Sequence, residues 1–203
     1  MKILFATGGS GGHIFPALRT AEQLKSDGHK VIFAGALASN ENRLRRAGFS
    51  SVILDVEGFN GKSLTGIFSF AYLMAKAIVR SLGIVRSFKP DVVVGFGSYS
   101  SFPVVFAAGF LRVPAMLHEQ NVVPGKANRL SAMFVRRIAV TFEETKKYFS
   151  NRETVWTGCP CNAQRPAAPK HVLLKQFSLG SDRLTILVLG GSQGSRFLNE
   201  VFF

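Results

Sequence analysis

The chain has 203 residues, of which 47% are hydrophobic and 18% are charged. This composition can bury a sizeable core, which excludes an intrinsically disordered chain and a collagen-like fibre. The net charge of +13 favours anionic partners, namely phosphates, nucleic acid or an acidic membrane surface.

Short apolar segments alternate with helical patterns along the chain. The predicted strands are Ile3–Ala6, Val31–Ala34, Val52–Asp55, Val92–Gly95, Ala115–His118, Ile138–Thr141, Thr154–Thr157 and Leu184–Leu189. The predicted helices are Pro16–Asp27, Glu41–Ala47, Leu64–Ser87, Ser101–Leu111, Gly125–Phe134, Glu143–Phe149 and Lys170–Phe177. Such short apolar runs are typical of strands buried on both faces, and their alternation with helices predicts an α/β fold with a doubly wound parallel sheet.

The segment Val92–Leu111 has no charged residue and is long enough to cross a bilayer. Its centre, Gly95–Pro103, contains glycines and a proline that would weaken or break a spanning helix. We therefore predict a buried strand, a glycine loop and an apolar helix in this segment.

The predicted elements divide the chain into one complete domain and the beginning of another. Residues 1–157 contain seven of the strands, and Gly158–Pro169, with three prolines and both cysteines, predicts a linker. Residues 170–203 add a helix, the strand Leu184–Leu189, a glycine loop and a further helix from Arg196. Because an unpaired apolar strand is a sticky edge, we expect a truncated piece of a longer two-domain protein; docking of the tail on the first domain is the alternative.

Three glycine-rich loops, Thr7–His13, Gly95–Tyr99 and Gly190–Arg196, each follow a predicted strand and lead into a helix. The unpaired N–H groups and the dipole at a helix start favour negative charge, so the loops predict a phosphate-bearing ligand at the carboxyl ends of the strands. No loop has the Gly-Lys-Ser/Thr ending of a P-loop. A dinucleotide enzyme is disfavoured because Ala34–Ala36 stands where its ribose-binding acid is expected.

Four motifs, Gly8–Pro16, Gly95–Tyr99, His118–Asn121 and Gly190–Arg196, resemble in residues and in order those of the MurG family of peptidoglycan N-acetylglucosaminyltransferases. The resemblance covers essentially the whole chain and implies a GT-B fold, with one complete Rossmann-like domain and the start of a second. It implies an inverting transfer of N-acetylglucosamine from UDP-N-acetylglucosamine to lipid I, the undecaprenyl-pyrophosphoryl-N-acetylmuramoyl-pentapeptide, which gives lipid II. The alternative is a catalytically inactive remnant that keeps the fold and binds a membrane or another anion.

The same resemblance implies the surroundings of the protein. The N-terminal domain would hold the lipid-linked acceptor and bind peripherally to the anionic cytoplasmic face of the bacterial inner membrane. The C-terminal domain would supply most of the UDP-sugar pocket, so we expect this chain by itself to be inactive. No protein-bound cofactor is implied. Nucleic acid is not an expected partner, because the sequence lacks interleaved basic and aromatic motifs and any known binding module.

Two positions are candidate catalytic residues. His13 follows four glycines at a predicted helix start, and because imidazole changes charge near neutral pH it could act as the base or bind a phosphate. Its alternative role is to cap or pack against the helix. Glu119 belongs to the polar run His118–Asn121 at the end of a buried strand, which is costly unless it meets a ligand or partner groups. Glu119 is a second candidate base, or it satisfies N–H groups of its own loop.

The resemblance also implies a set of substrate-binding residues. Tyr99 could stack on the acceptor or hydrogen-bond to it, or else anchor its loop. Where the family has a donor-binding arginine this chain has Asn162, which cannot pair with a diphosphate as a guanidinium does, so we expect weaker donor binding. Ser98 and Phe102 replace family glycines. Donor contacts are implied for Ser10, Gly11, Gly12, Asn121 and Ser192, and more weakly for Gln193 and Asn199.

No metal site is predicted. Cys159 and Cys161 form an isolated C-x-C pair without two further ligands, and we interpret them as linker thiols of a protein in a reducing cytoplasm. The acidic pair of Asp55 and Glu57 is expected to be solvated. A helix terminus can balance the leaving diphosphate in place of a metal ion.

Residues 58–90 contain no acidic residue but carry five cations, Lys62, Lys76, Arg80, Arg86 and Lys89. On the helix Leu64–Ser87, the predicted core face is Ile67, Ala71, Met74, Ile78, Leu82 and Val85. The opposite side carries Ser69, Tyr72, Leu73, Lys76 and Arg80, flanked by Phe70. Aromatic and aliphatic groups beside cations favour an interface with anionic lipid, and an ordinary solvated basic face is the alternative.

Overall fold

A seven-stranded parallel sheet organises the first of two units in the computed structural model, which describes residues 1–56, 64–161, 168–190 and 194–202. The first unit is Met1–Cys161 and the second is Asn162–Phe203. The strands are β1 Lys2–Ala6, β2 Lys30–Gly35, β3 Ser50–Ile53, β4 Val92–Gly95, β5 Ala115–Glu119, β6 Arg137–Val140 and β7 Glu153–Trp156. Their order, β3-β2-β1-β4-β5-β6-β7, confirms the predicted doubly wound fold.

Helices connect the strands of the first unit. They are α1 Gly11–Ser26, α2 Glu41–Arg46, α3 Leu64–Phe88, α4 Phe102–Phe110 and α5 Lys126–Ser131, with 3₁₀ turns at Ala38–Asn40, Ala132–Phe134 and Glu143–Phe149. Adjacent residues of β1 point to opposite faces, so Phe5 packs with Ile14 of α1 while Leu4 packs with Val104 of α4 in a separate cluster. The central strands are therefore covered on both sides, as their continuous apolar runs predict.

The segment 92–111 folds as predicted into β4, a glycine loop and α4. Its first four residues form β4 in the sheet, where Val93 and Val94 pair with Ala115 and Met116 of β5. This segment is therefore part of the core of the first unit.

Helix α1 begins at Gly11, five residues before the predicted start at Pro16. Ser10 is extended, and its carbonyl accepts hydrogen bonds from the N–H groups of His13 and Ile14, each at 3.0 Å. Gly11 and Gly12 thus form the first turn, and Pro16 lies inside the helix, where it is buried. The loop after β1 is shorter than expected, and it brings the helix start close to the end of the strand.

Helix α3 presents only the C-terminal half of its predicted face to the core, where Val85 is buried and Met74 and Leu82 pack against it. Ala77, Ser81 and Val85 are buried, whereas Ile67 is 44% exposed. Ala71 is exposed as well, so the predicted core face is wrong in its N-terminal half. The small side chains at 77 and 81 allow close packing, and the Ser81 hydroxyl donates a 2.7 Å hydrogen bond to the Ala77 carbonyl, which removes the cost of burying it.

The second unit contains two short helices, α6 Lys170–Gln176 and α7 Arg196–Phe202. The predicted strand Leu184–Leu189 is wrong, since these residues form no strand and Leu184 is 88% exposed. A strand requires a neighbour that accepts and donates its ladder hydrogen bonds, and the described part of the second unit offers no other strand. The glycine loop after it falls mostly on residues 191–193, outside the described residues.

Candidate functional site

The carboxyl ends of β1, β4 and β5 surround an open cleft of about 370 Å³. The strand order runs outward from β1 and β4 in opposite directions, and such a switch point is where open α/β sheets bind ligands. Loops leaving these two strands diverge to opposite faces of the sheet, which creates the cleft. It is lined by Ser10, His13, Gly97, Ser98, Tyr99, Glu119, Asn121, Gly125, Lys126, Ala127 and Asn128.

His13 lies half-buried in the first turn of α1 and packs against Gly97 of the second glycine loop. Gly97 has φ +92°, and a Cβ there would come within 3.0 Å of the His13 Cε1 atom. Glycine is therefore required both by the left-handed backbone and by the nearby ring. The His13 Nδ1 atom lies 3.1 Å from the Gln120 Oε1 atom.

Glu119 is 1% exposed and its two oxygens accept hydrogen bonds from neighbouring amides. Oε1 accepts from the backbone N–H of Asn121 at 2.9 Å and from its side-chain Nδ2 at 3.1 Å. Oε2 accepts from Asn128 Nδ2 at 2.8 Å. This geometry favours the alternative in which Glu119 orders its own loop, and it leaves His13 as the better candidate base.

His118 is buried beside Glu119, with 4% of its surface exposed. Its Nε2 donates to the Gly158 carbonyl at 3.1 Å, and its ring lies 5.7 Å from that of Phe96. Burial lowers the pKa of His118, against smaller opposing effects from that hydrogen bond and from the charge of Glu119. The imidazole is therefore neutral at neutral pH.

The second glycine loop supplies the other wall of the cleft. Tyr99 is half-buried, with its ring edge-on to Phe70 at a centroid distance of 6.1 Å. Phe70 was expected beside the exposed face of α3, and its contact with Tyr99 instead links α3 to the cleft. Ser98 has φ +75°, a conformation for which the family glycine is better suited.

The structure adds three polar residues that were not singled out individually from the sequence. Gln120 bridges His13 and His118. Asn128 is 2% exposed, and its Oδ1 has no hydrogen-bond partner among the described residues. Lys126 is exposed at the start of α5 and brings a positive charge to the cleft. The signal in the sequence was the position of the predicted helix from Gly125, directly after the polar run at 118–121.

The remaining predicted positions are not part of the cleft lining. Gly11 and Gly12 form the first turn of α1 next to it. Asn199 is exposed on α7 in the second unit. Asn162, Ser192 and Gln193 lie outside the described residues.

Comparison with known protein families shows to which family the chain belongs. Residues 3–140 match the glycosyltransferase family 28 N-terminal domain. The chain belongs to glycosyltransferase family 28. This match spans β1 to β6, and so covers the strands whose ends form the cleft.

Curated relatives of this family 28 chain bear one name, UDP-N-acetylglucosamine--N-acetylmuramyl-(pentapeptide) pyrophosphoryl-undecaprenol N-acetylglucosamine transferase. The proteins from Thermodesulfovibrio yellowstonii and Carboxydothermus hydrogenoformans are each 37% identical, over 98% and 99% of this chain. The chain spans 56% of the length of each. The crystal structure of MurG from Acinetobacter baumannii is similar at 27% identity and TM-score 0.75, over 99% of this chain and 55% of that chain. The resemblance to the MurG family is thereby confirmed.

Proposed function

We propose that this family 28 chain forms the acceptor-binding half of a transferase that moves N-acetylglucosamine from UDP-N-acetylglucosamine to lipid I. The observation that carries the proposal is the cleft at the β1–β4 switch point, where His13, at the end of the first glycine loop, packs against Gly97 of the second. The names of its relatives support this substrate pair over a non-catalytic remnant.

In this proposal His13 is the general base. It accepts the proton of the acceptor hydroxyl while the hydroxyl oxygen attacks the anomeric carbon of the donor sugar. The new bond forms on the face opposite the leaving group, the bond from the anomeric carbon to the diphosphate breaks, and UDP departs with the electron pair. A positioned base typically accelerates such a step by about 10²–10⁴.

The diphosphate groups would be stabilised by the chain itself. The N–H groups of the first turn of an α-helix have no internal acceptors, and in α1 this turn contains Gly11 and Gly12 beside the cleft. Lys126 adds a full charge at the opposite wall. Ser10, Asn121 and Tyr99 line the same space and are proposed to contact the sugars. The contributions of Asn162 and Ser192 to donor binding stay predictions.

We further infer that α3 attaches the protein peripherally to the anionic cytoplasmic face of the inner membrane. Phe68, Tyr72 and Val79 are about 70% exposed (73%, 69% and 69%) on its outer face. Lys76 and Arg80 lie beside them and are also exposed. Large apolar groups next to cations are typical of helices that lie in the headgroup region.

Helix α3 is the one described helix long and apolar enough to cross a membrane, a property that core helices of soluble proteins share. Its inner face contributes Ala77 and Val85 to the core of the first unit. Attachment through the outer face leaves this packing intact, whereas insertion would remove it. We therefore propose that α3 lies on the bilayer.

The acceptor proposal can be tested by adding a water-soluble, short-chain analogue of lipid I to the ¹⁵N-labelled chain. Amide signals of Gly11–His13, Gly97–Tyr99 and Asn121 are expected to shift in a saturable way. Inorganic pyrophosphate serves as the control, and it should bind more weakly because it lacks the sugar. Shifts confined to residues away from the cleft, or equal affinity for pyrophosphate alone, would refute acceptor binding at this site.

A further inference from the structure

A chain of side-chain hydrogen bonds connects the candidate base to the interior of the first unit. It runs from His13 through Gln120 to His118 and ends at the backbone carbonyl of Gly158. Each link is 3.1 Å long. A neutral imidazole ring has two tautomers, and a glutamine amide has two orientations. The groups at the two ends of this chain determine which tautomers and which orientation are present.

The orientation of the Gln120 amide is determined by a backbone carbonyl. Its Nε2 lies 3.0 Å from the carbonyl oxygen of His118, which can only accept a hydrogen bond. The NH₂ group must therefore face His118, and Oε1 must face His13. An amide oxygen is an acceptor, so the His13 Nδ1 atom, 3.1 Å away, has to carry a proton.

The tautomer of His118 is determined independently from the other end. The Gly158 carbonyl can accept only, so the facing Nε2 of His118 carries its proton. The Nδ1 of the neutral ring is then an acceptor, and it receives the second N–H of the Gln120 amide at 3.1 Å. Both ends require the same amide orientation, so all three links are mutually consistent.

We propose that Gln120 and His118 are positioning residues that hold the His13 imidazole in the tautomer whose Nε2 is unprotonated. A neutral imidazole in water prefers the opposite tautomer, with the proton on Nε2, which cannot accept a proton at that atom. No described residue hydrogen-bonds to the His13 Nε2, so its lone pair stays available at the cleft. The use of this lone pair as a base rests on the proposed function, whereas the tautomer does not.

This arrangement also explains why a histidine is buried near the end of β5. His118 is one of four histidines in the chain, and it is held neutral by burial. A proton on its Nδ1 would face the N–H groups of Gln120 and break the chain of hydrogen bonds. The ring therefore serves as a fixed acceptor for the Gln120 amide.

The test is a nitrogen–proton correlation spectrum of the imidazole rings in the ¹⁵N-histidine-labelled chain, recorded above the pKa values of the rings. His13 is expected to show a protonated Nδ1 and an unprotonated Nε2, and His118 the reverse. Assignment uses His13→Gln, His29→Gln and His171→Gln, which leaves His118 as the fourth histidine. A parent spectrum with the proton on Nε2 of His13 overturns the proposal, whatever the variants show.

Three variants then test the role of Gln120. Gln120→Met keeps the length of the side chain but neither donates nor accepts through an amide, and His13 should revert to the tautomer preferred in water. Gln120→Glu still offers an acceptor oxygen to His13 Nδ1, so it should keep the His13 tautomer, although its second oxygen cannot donate and gives up the hydrogen bonds to His118. Gln23→Met, on the exposed side of α1, is the matched control and should change neither ring.

Backbone amide spectra show whether each variant is folded. If Gln120→Met does not fold, Gln120→Glu is the variant that tests the proposal. Retention of the His13 tautomer in folded Gln120→Met, or its loss in folded Gln120→Glu, contradicts the proposal. A failure to bind the lipid I analogue would instead refute the proposed function, because the ring spectrum is recorded without any ligand. The two ideas can therefore fail separately.

Discussion

At the level of single residues, the side chain of Ser98 explains why position 8 is a glycine. A Cβ added at Gly8 would overlap the Cβ and Oγ atoms of Ser98. Ser98 itself adopts φ +75°, a conformation that costs an ordinary residue about 1–2 kcal/mol. The requirement for glycine at position 8 therefore arises from the close contact between the first two glycine loops.

We expect Gly8→Ala to lower the free energy of unfolding by about 2 kcal/mol, because the added methyl group forces the two loops apart. In the Ser98→Gly background the same substitution should cost distinctly less, since the overlapping atoms are gone. A double-mutant cycle from urea unfolding curves measures the difference. Equal costs of Gly8→Ala in both backgrounds would contradict this explanation.

His118 makes the stability of the chain depend on pH. Burial holds its pKa below the ordinary value of 6.5, so the unfolded chain binds a proton more readily than the folded chain. Its contribution to the free energy of unfolding is therefore complete above about pH 6.5 and decreases as the pH falls from there towards the lower folded-state pKa. Unfolding curves at several pH values should show this decrease. His118→Phe is expected to flatten this decrease, whereas His29→Gln, at a partly exposed histidine, should not. An unchanged decrease in His118→Phe would assign the pH dependence to other groups.

At the level of elements, α3 combines a packed inner face with an apolar, basic outer face. Lys76 also forms an ion pair with Asp55 at 3.7 Å, but both side chains are more than half exposed (56% and 62%). Such a pair contributes little stability, so the Lys76 charge stays available to a lipid surface. Phe68 and Val79 are exposed on the same helix, so its outer side combines large apolar groups with this charge.

Lys76→Glu/Arg80→Glu is expected to weaken binding to anionic vesicles by at least about tenfold at low salt, because each cation contributes about 1 kcal/mol near such a surface. Phe68→Ser/Tyr72→Ser should remove the part of the binding that persists at about 1 M salt, where the Debye length is about 3 Å. Vesicle flotation at both salt concentrations separates the two contributions. Arg45→Glu/Arg46→Glu on α2 is the matched charge control. If it reduces binding as strongly as the α3 charge variant, the attraction comes from net charge and not from α3.

At the level of the whole molecule, the two described units differ in completeness. The first has a closed core and a formed cleft, whereas the described part of the second has two short helices and no strand. The described part of the second unit therefore offers no sheet whose carboxyl ends could bind a donor nucleotide. We therefore expect this chain to bind the acceptor without transferring the sugar.

We expect the chain by itself to bind the acceptor analogue and to produce no lipid II from labelled UDP-N-acetylglucosamine. The assay counts label that is transferred to the lipid, with the full-length relative from Thermodesulfovibrio yellowstonii as the positive control. Turnover close to that of the relative would show that the first unit binds and activates the donor unaided. In that case the donor contacts implied for Ser192 and the linker are unnecessary.

The sequence by itself determined the α/β class, the seven strands of the sheet and the loops that flank the cleft. These features depend on local signals, since apolar runs, glycines and polar residues at strand ends have their effect over a few neighbours. It also predicted Ser10, His13, Tyr99, Glu119 and Asn121 as site residues, and all five line one cleft because parallel strands end together. Their roles stay predictions.

Only the tertiary structure decided the rest, because contacts between distant residues determined it. The hydrogen bond between His13 and Gln120 joins residues 107 positions apart, and the one between His118 and Gly158 joins residues 40 positions apart. The inward face of α3 was decided by how closely Ala77 and Ser81 could approach the core, which apolar periodicity cannot report. Likewise, Leu184–Leu189 has the composition of a strand, but a strand forms only where another supplies its hydrogen bonds.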